Sequence, residues 1–165
     1  MAWPGSAGAV VSTNPLAIAI PACARPPLLL DMSTAAVALG KVMAAKDAGT
    51  PIPEGWGVDA RGQPTKDPAA VATLLPMAGP KGAGLSLMIE CLASLAAGNP
   101  LIAPALGGQG PKDGPRMNGL AIALDVAAFG EAEAFTREVD ALAAAVAAVP
   151  ASGDAPVLLP PTLAG

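Results

Sequence analysis

Apolar residues of this chain fall into short runs that end at proline or aspartate. The run Leu16–Ile20 alternates large and small apolar side chains, which predicts a strand covered on both faces. Residues 28–30 form a second extended run that stops at an aspartate. Residues 118–124 predict another strand, and residues 155–159 predict a final edge strand before a double proline.

Helical spacing of apolar residues predicts three long helices. The first, 35–47, follows Ser33 and Thr34, whose hydroxyl groups are suited to capping a helix. The second, 82–97, is apolar on every face except at Glu90, so we expect it in the middle of the core.

Two of these helices have a definite apolar face. The face of the first helix consists of Ala35, Ala38, Leu39 and Val42. In the third helix, 131–149, apolar residues recur at spacings of four and three, which predicts packing against the sheet or against a partner. This stripe consists of Phe135, Val139, Leu142, Val146 and Val149.

The connections are rich in glycine and proline. Residues 49–67 predict a long surface loop that contains a tight turn at 59–62. A short helix is predicted over 68–74, a mobile loop over 107–114 and a capped turn over 126–129. Strands that alternate with helices indicate an α/β or α+β layer protein.

Composition narrows the class of protein. With 165 residues, of which 53% are hydrophobic, one domain spanning 1–165 is expected. A net charge of -4, two tryptophans and two phenylalanines argue against a nucleic-acid partner. The apolar runs are shorter than the roughly 20 residues of a membrane helix. Without a recognisable export signal, we expect a cytoplasmic protein whose Cys23 and Cys91 are reduced thiols, with no metal site.

Lys81 is the first candidate for a binding residue. It lies at the start of a predicted helix, within the glycine-rich segment 79–84. The amino end of a helix behaves as roughly half a positive charge, so a lysine there is unfavourable unless an anion binds. The alternative is a flexible entry loop whose lysine points into water. The chain has no histidine and no tyrosine, so the commonest general acids and bases are absent.

A second candidate lies where an extended run meets a predicted helix. There, free backbone N–H groups could bind a pyrophosphate, and Ser33 could add its hydroxyl. The alternative is an ordinary helix cap. Neither a GxGxxG sequence between a strand and a helix nor a GxxxxGK[ST] sequence is present, so a Rossmann or P-loop nucleotide site is not expected.

The order of several motifs resembles one family, the malate/L-lactate dehydrogenases that are distinct from the classical Rossmann enzymes. The resemblance covers nearly all of the chain. It rests on Thr13-Asn14-Pro15-Leu16, Leu30-Asp31-Met32-Ser33-Thr34, Gly40-Lys41, Pro51-Ile52-Pro53-Glu54-Gly55-Trp56, Pro64-Thr65-Lys66-Asp67-Pro68, Leu75-Pro76, Lys81-Gly82-Ala83-Gly84-Leu85, residues 118–130 and Val157-Leu158-Leu159-Pro160.

This resemblance implies reduction of a 2-oxo acid, or oxidation of a 2-hydroxy acid such as malate or lactate, with NAD or NADP as cofactor. It also implies a homodimer and a cofactor-binding fold built on a mixed, largely antiparallel sheet covered by helices. By the same resemblance, three segments contact the dinucleotide. Their residues are Leu28, Leu29, Leu30, Asp31, Met32 and Ser33, then Pro80 and Lys81, then Pro161, Thr162 and Leu163. The third segment departs from the family's usual Pro-Gly-Glu.

The family's histidine-bearing region, which supplies the acid/base and holds the substrate carboxylate, has no counterpart in this sequence. No catalytic residue is therefore assigned. The chain resembles the later part of such an enzyme, a partial domain with the cofactor-binding portion and the last helix and strand. One interpretation is an oxidoreductase fragment or subunit; the other is a non-catalytic remnant or dinucleotide-binding subunit. Both predict self-association or pairing with a complementary amino-terminal fragment, because uncovered apolar surface drives association.

Overall fold

The structure, a computed structural model, describes residues 1–98, 118–154, 157, 159 and 160. The chain divides into two compact units. The first unit contains Met1–Leu16 and Met32–Leu120, and the second contains Ala17–Asp31 and Ala121–Gly165. That these units make up one partial domain stays a prediction.

The described residues contain four short strands and three α-helices. The strands are β1 (Leu16–Ile20), β2 (Leu28–Met32), β3 (Gly57–Val58) and β4 (Thr73–Leu74). The helices are α1 (Leu39–Asp47), α2 (Pro80–Ile89) and α3 (Ala132–Ala147). A π-helical segment, Glu90–Leu95, continues directly from α2. Short 3-10 turns cover Pro68–Ala70 and Val126–Ala128. None of the helices in the described ranges is long and apolar enough to cross a membrane.

The core of the first unit forms around β4 and the start of the chain. Its buried members are Met1, Val11, Ala35, Val37, Val42 and Leu74, with Trp3, Trp56, Val71 and Leu87 packed against them. The antiparallel pair β3–β4, with Gly57 opposite Leu74, borders this core. A side chain at Gly57 would lie 2.8 Å from Val71 Cγ1, so glycine lets Val71 pack against β3.

The predicted surface loop 49–67 is wrong at Ile52 and at β3, which are buried, but its tight turn has the predicted chemistry. Asp59 Oδ1 accepts hydrogen bonds from the backbone N–H groups of Arg61 and Gln63, and Gly62 has a φ of 77°. The tight turn at 59–62 is therefore confirmed. The predicted helix over 68–74 is wrong beyond its first turn, because the chain after Ala70 extends into β4.

The first predicted helix starts later than its sequence suggested. α1 begins at Leu39 with Ala38 as its N-cap, and neither Ser33 nor Thr34 caps it. The reason is that the backbone groups of Thr34 and Ala36 are hydrogen bonded to a distant segment. Leu39 is exposed, so the predicted apolar face is wrong there.

The helix predicted over 82–97 exists, but its buried face is not the apolar one. α2 begins at Pro80 and continues into the π-helical segment. Its large apolar side chains Met88 and Leu92 are exposed, whereas Glu90 is fully buried. Small residues on the buried face allow close packing, and Glu90 has hydrogen-bond partners there.

The second unit contains β1 paired with β2, and α3. The middle residues of β1 are exposed, so its predicted coverage on both faces is wrong within the described residues. Asp140 on α3 accepts hydrogen bonds from the backbone N–H groups of Cys23 and Ala24, at 3.2 and 2.7 Å. This carboxylate ties the helix to the connection between the two strands.

The buried residues of α3 are Val139 and Ala143, four apart on one face. Leu142, Val146 and Val149 are exposed, so packing of the stripe against the sheet is wrong there, and packing against a partner stays a prediction. Apolar residues at spacings of three and four form a wide face on α3. Neighbouring elements in the described part of the chain bury only the side of this face that contains Val139 and Ala143. The apolar remainder of the stripe faces outward.

Residues 118–124 do not form the predicted strand. Leu120, Ile122 and Leu124 are exposed, and no strand or bridge is assigned over 118–124. The capped turn after it is confirmed, since Asp125 accepts a hydrogen bond from Ala127 N–H at 2.9 Å. The predicted loop 107–114 and most of the predicted edge strand 155–159 lie outside the described residues.

Candidate functional site

A short backbone ladder joins residues 34–36, at the end of the second candidate segment, to residues 75–77, which lead into the first candidate segment at the start of α2. Ala36 N–H donates to Leu75 O at 2.8 Å, and Met77 N–H donates to Thr34 O at 3.0 Å. Between them, Ala35 and Pro76 form an antiparallel bridge. Ser33 directly precedes this ladder in the sequence, and the turn at Ala78 directly follows it before the start of α2.

The turn from this ladder into α2 has unusual backbone geometry. Ala78 has a φ of 47° and Gly79 a φ of 60°, and Ala78 is the one non-glycine with positive φ in the described part of the chain. Such a conformation is unfavourable for alanine and recurs at binding sites. A side chain at Gly82 would overlap Met77 O and lie 2.8 Å from Met77 Cγ. Glycine at that position therefore lets the turn fold against the helix.

The amino end of α2 has few free hydrogen-bond donors. Gly82 N–H donates to Met77 O at 3.1 Å, Ala83 N–H donates to Gly79 O at 3.2 Å, and Pro80 has no N–H. The Lys81 N–H has no acceptor among the described residues. The site therefore offers one backbone donor and one exposed ammonium group, which fits one anionic oxygen better than a phosphate cradled by several amides.

The surroundings of this donor pair leave room for a ligand. A side chain added at Gly79 or Gly84 would meet no atom within 4 Å, so the backbone there is open to close approach. A cation, a free amide and open glycine surface are compatible with an anionic part of a dinucleotide. The described residues contain no group of acidic, cysteine or histidine side chains that could hold a metal ion.

Ser33 and Thr34 differ in how their hydroxyl groups are used. Ser33 is half-buried, and its Oγ accepts a hydrogen bond from Ala35 N–H at 3.2 Å. Thr34 is fully buried, and its Oγ1 has no hydrogen-bond partner among the described residues. From the sequence, Ser33 and Thr34 were both expected to cap a helix, with ligand binding as a further candidate role for Ser33. No sequence signal indicated that a distant segment would enclose Thr34.

The remaining predicted site residues do not all join this site. Pro80 is exposed beside Lys81, and Met32 is half-buried in the first unit. Leu28, Leu29 and Leu30, which are half-buried, and the exposed Asp31 belong to the second unit. Pro161, Thr162 and Leu163 lie outside the described residues.

A buried polar cluster lies farther along the same helix. Asn14 Nδ2 donates to Glu90 Oε2 at 3.0 Å and to Ser86 O at 2.9 Å. Ser86 Oγ donates to Ser12 O at 2.8 Å. Sequence reasoning left Glu90 as paired, cleft-facing or exposed; the pairing with Asn14 was missed, although Ser86 and Glu90 have the spacing of one helix face.

This chain belongs to the malate/L-lactate dehydrogenase family, whose model matches residues 1–163. It is 41% identical to (2R)-3-sulfolactate dehydrogenase (NADP(+)) of Chromohalobacter salexigens over 133 residues, which are 79% of this chain and 39% of that protein. It is 47% identical to ureidoglycolate dehydrogenase (NAD(+)) of Escherichia coli O157:H7 over 96 residues, 58% of this chain and 28% of that protein.

Solved structures show the same fold. Sulfolactate dehydrogenase from Methanocaldococcus jannaschii matches with a TM-score of 0.82 and 35% identity, over 97% of this chain and 46% of that one. Malate dehydrogenase from Entamoeba histolytica matches in fold, with a TM-score of 0.78, 22% identity and coverage of 96% and 48%. The predicted mixed α/β fold, partial relative to the family, is confirmed. The chain spans less than half the length of these relatives.

Proposed function

We propose that this chain is the dinucleotide-binding portion of an NAD(P)-dependent oxidoreductase that interconverts a 2-hydroxy acid and a 2-oxo acid. The relatives named above use NADP(+) or NAD(+) according to their names, which supports this cofactor class. Malate and lactate are the first substrates to test, because the family is described by them.

The observation that carries this proposal is the Lys81 amide, which has no acceptor within the described ranges, together with the exposed Lys81 side chain at the start of α2. Lys81 would hold an anionic oxygen of the dinucleotide phosphates or a ribose hydroxyl. The segment Asp31 to Ser33 would line the nicotinamide or ribose side of the dinucleotide through backbone and side-chain contacts. Pro161 to Leu163 remain a proposed third contact.

The chemistry divides between the cofactor and the protein. When bound, the nicotinamide supplies or accepts a hydride. This chain's own residues would bind and orient the dinucleotide. The 165 residues include no histidine, so we propose that the proton is moved by a group outside them.

A second candidate function is a dinucleotide-binding subunit or remnant that has no turnover of its own. The absence of both histidine and tyrosine from this sequence favours it. We would compare turnover of malate, lactate and pyruvate by the chain alone and after adding a histidine-bearing amino-terminal fragment of a relative. Activity that needs the fragment indicates a divided enzyme, and binding without turnover in either mixture indicates the subunit.

Binding is tested by titrating the purified chain with NADH and NADPH and following nicotinamide fluorescence. Lys81→Ala should weaken binding about tenfold or more, since it removes a charged hydrogen bond. Lys66→Ala is the matched control, because it removes the same charge from an exposed lysine that pairs with Glu54 at 3.4 Å. Equal affinity of Lys81→Ala and the parent chain would contradict the role of Lys81.

The cellular context is also a proposal. We propose a cytoplasmic protein that acts as a homo-oligomer or with a complementary fragment. Exposed apolar side chains of the second unit, including Ile122 and Phe129, support association.

A further inference from the structure

Helix α2 is held to the segment before β1 by buried polar groups. Glu90 is 0% exposed and Asn14 only 6% exposed. The Asn14 amide group bridges Glu90 Oε2 and Ser86 O, while Ser86 Oγ reaches Ser12 O. Asn14 and the α2 residues therefore form one hydrogen-bonded cluster, here called the Asn14 cluster and consisting of Asn14, Ser86 and Glu90.

Apolar burial alone would not select the face that α2 presents to this segment. Leu92 is 58% exposed and Met88 is 53% exposed, although both are large apolar side chains on the same continuous helix. A rotation that buried Leu92 in place of Glu90 would gain hydrophobic free energy. The bonds made by the Asn14 cluster exist only in the observed rotation, and buried polar groups can fix the register of packed helices.

The rotation of α2 decides where Lys81 points. Successive helical residues are turned by about 100°, so Lys81 lies about 180° around the axis from Glu90. A rotation of α2 that holds Glu90 against Asn14 therefore directs Lys81 to the opposite side of the helix. In the structure Lys81 is exposed.

We infer that Asn14, Ser86 and Glu90 are positioning residues that fix the rotation of α2 and thereby aim the Lys81 ammonium and amide groups at the dinucleotide. The part of this inference that concerns the ligand rests on the proposed function. The cluster acts on the ligand through the orientation of the helix.

Affinity measurements test the ligand part. Asn14→Ala and Glu90→Ala should weaken NADPH binding about tenfold, because misplaced binding groups lose much of their effect. Glu90→Gln keeps an oxygen acceptor for Asn14 Nδ2 and should retain affinity within about twofold. Ser94→Ala, which alters another buried serine of the same helix, is the control and should leave affinity unchanged. The thermal unfolding midpoint of each variant is measured as well, so that a loss of NADPH affinity can be distinguished from a loss of folded protein.

Alkylation of Cys91 by iodoacetamide tests the rotation without any cofactor. Cys91 is a half-buried free thiol next to Glu90, and the exposed Cys23 is an internal reference that mass spectrometry resolves. Asn14→Ala should change the Cys91 rate relative to Cys23 about fivefold, and Glu90→Gln should not. If a variant does not fold, Ser86→Ala is used in its place, because this substitution removes only the hydrogen bond from Ser86 Oγ to Ser12 O.

The two arms separate the two proposals. If the parent chain binds neither NADH nor NADPH, the proposed function is wrong, and the alkylation result alone decides the positioning role. Unchanged Cys91 reactivity in Asn14→Ala, or parent affinity in a folded Asn14→Ala chain, would overturn that role.

Discussion

The Met77 amide donates a hydrogen bond to the Thr34 carbonyl at 3.0 Å, and this contact unites two segments far apart in the sequence. One segment follows β2, and the other leads into α2. Ser33 directly precedes this pairing in the sequence, and the turn at Ala78, which leads to Lys81, directly follows it. The two candidate segments of the sequence are therefore linked by backbone hydrogen bonds, and a binding site shared by them is a proposal.

Gly82 and Gly84 offer a matched test of the turn that shapes this site. In Gly82→Ala, the new methyl group would overlap Met77 O, so unfolding free energy should fall by about 2 kcal/mol. In Gly84→Ala, the methyl group meets no atom within 4 Å and should add up to about 1 kcal/mol through helix propensity. Urea unfolding followed by circular dichroism measures both. Similar stabilities for the two variants would mean that Met77 does not pack against α2 as described.

Local features were the most predictable from the sequence. The turn at 59–62 and the cap formed by Asp125 depend on residues within four positions of each other, and both are present. The Thr34–Met77 ladder could not be predicted, because the paired residues are remote in the sequence. Thr34 was also suited to capping a helix, so its sequence position did not indicate another role. Tertiary hydrogen bonding outweighed that local preference.

The face of α2 was unpredictable for a different physical reason. Pattern rules place apolar residues inside and charged residues outside, and this helix does the reverse at Leu92 and Glu90. A remote residue, Asn14, donates a hydrogen bond to the buried Glu90 carboxylate, and this bond lowers the free-energy cost of burying it. Lys81, by contrast, was identified as a candidate from its position at a helix start, and its amide has no acceptor in the part of the chain that the structure describes.

Asp59 should make stability depend on acid pH. Hydrogen bonds from Gln63 N–H and then Arg61 N–H, with the nearby Arg61 charge, lower the pKa of Asp59 in the folded chain. Because the pKa of Asp59 is lower in the folded chain than in the unfolded chain, where it is about 4, the ionised carboxylate stabilises the fold at pH values above about 4. This stabilisation is lost as the pH falls through the pKa of the folded chain. Asp59→Asn should therefore be less stable than the parent at pH 6, with the difference shrinking towards pH 3.

Urea unfolding of the parent and Asp59→Asn chains at both pH values measures this dependence. Asp67→Asn is a useful control because Asp67 also caps a short turn, accepting from Ala69 N–H at 2.9 Å. A stability difference for Asp59→Asn that stayed constant from pH 6 to pH 3 would contradict the hydrogen-bonded carboxylate at the 59–62 turn.

Exposed apolar side chains in the second unit should drive self-association. Leu124 and Phe129 are 75% and 83% exposed. Leu124→Ser combined with Phe129→Ser should shift the chain towards smaller species in sedimentation velocity at equal concentration. Ala121→Ser changes an exposed small residue of the same unit and should have no effect. A parent chain that sediments as a monomer at all concentrations would contradict the proposed association.

The most direct test of the central claim is to titrate the ¹⁵N-labelled chain with NADPH and NADH and follow the Lys81 amide by NMR. This amide has no acceptor among the described residues, so a bound anionic oxygen should shift its resonance strongly and saturably. We expect the Lys81 shift to exceed that of Lys66, an exposed lysine at the Glu54 ion pair. Saturable cofactor binding that leaves the Lys81 resonance unmoved, or no binding of either cofactor, would contradict a dinucleotide site at the start of α2.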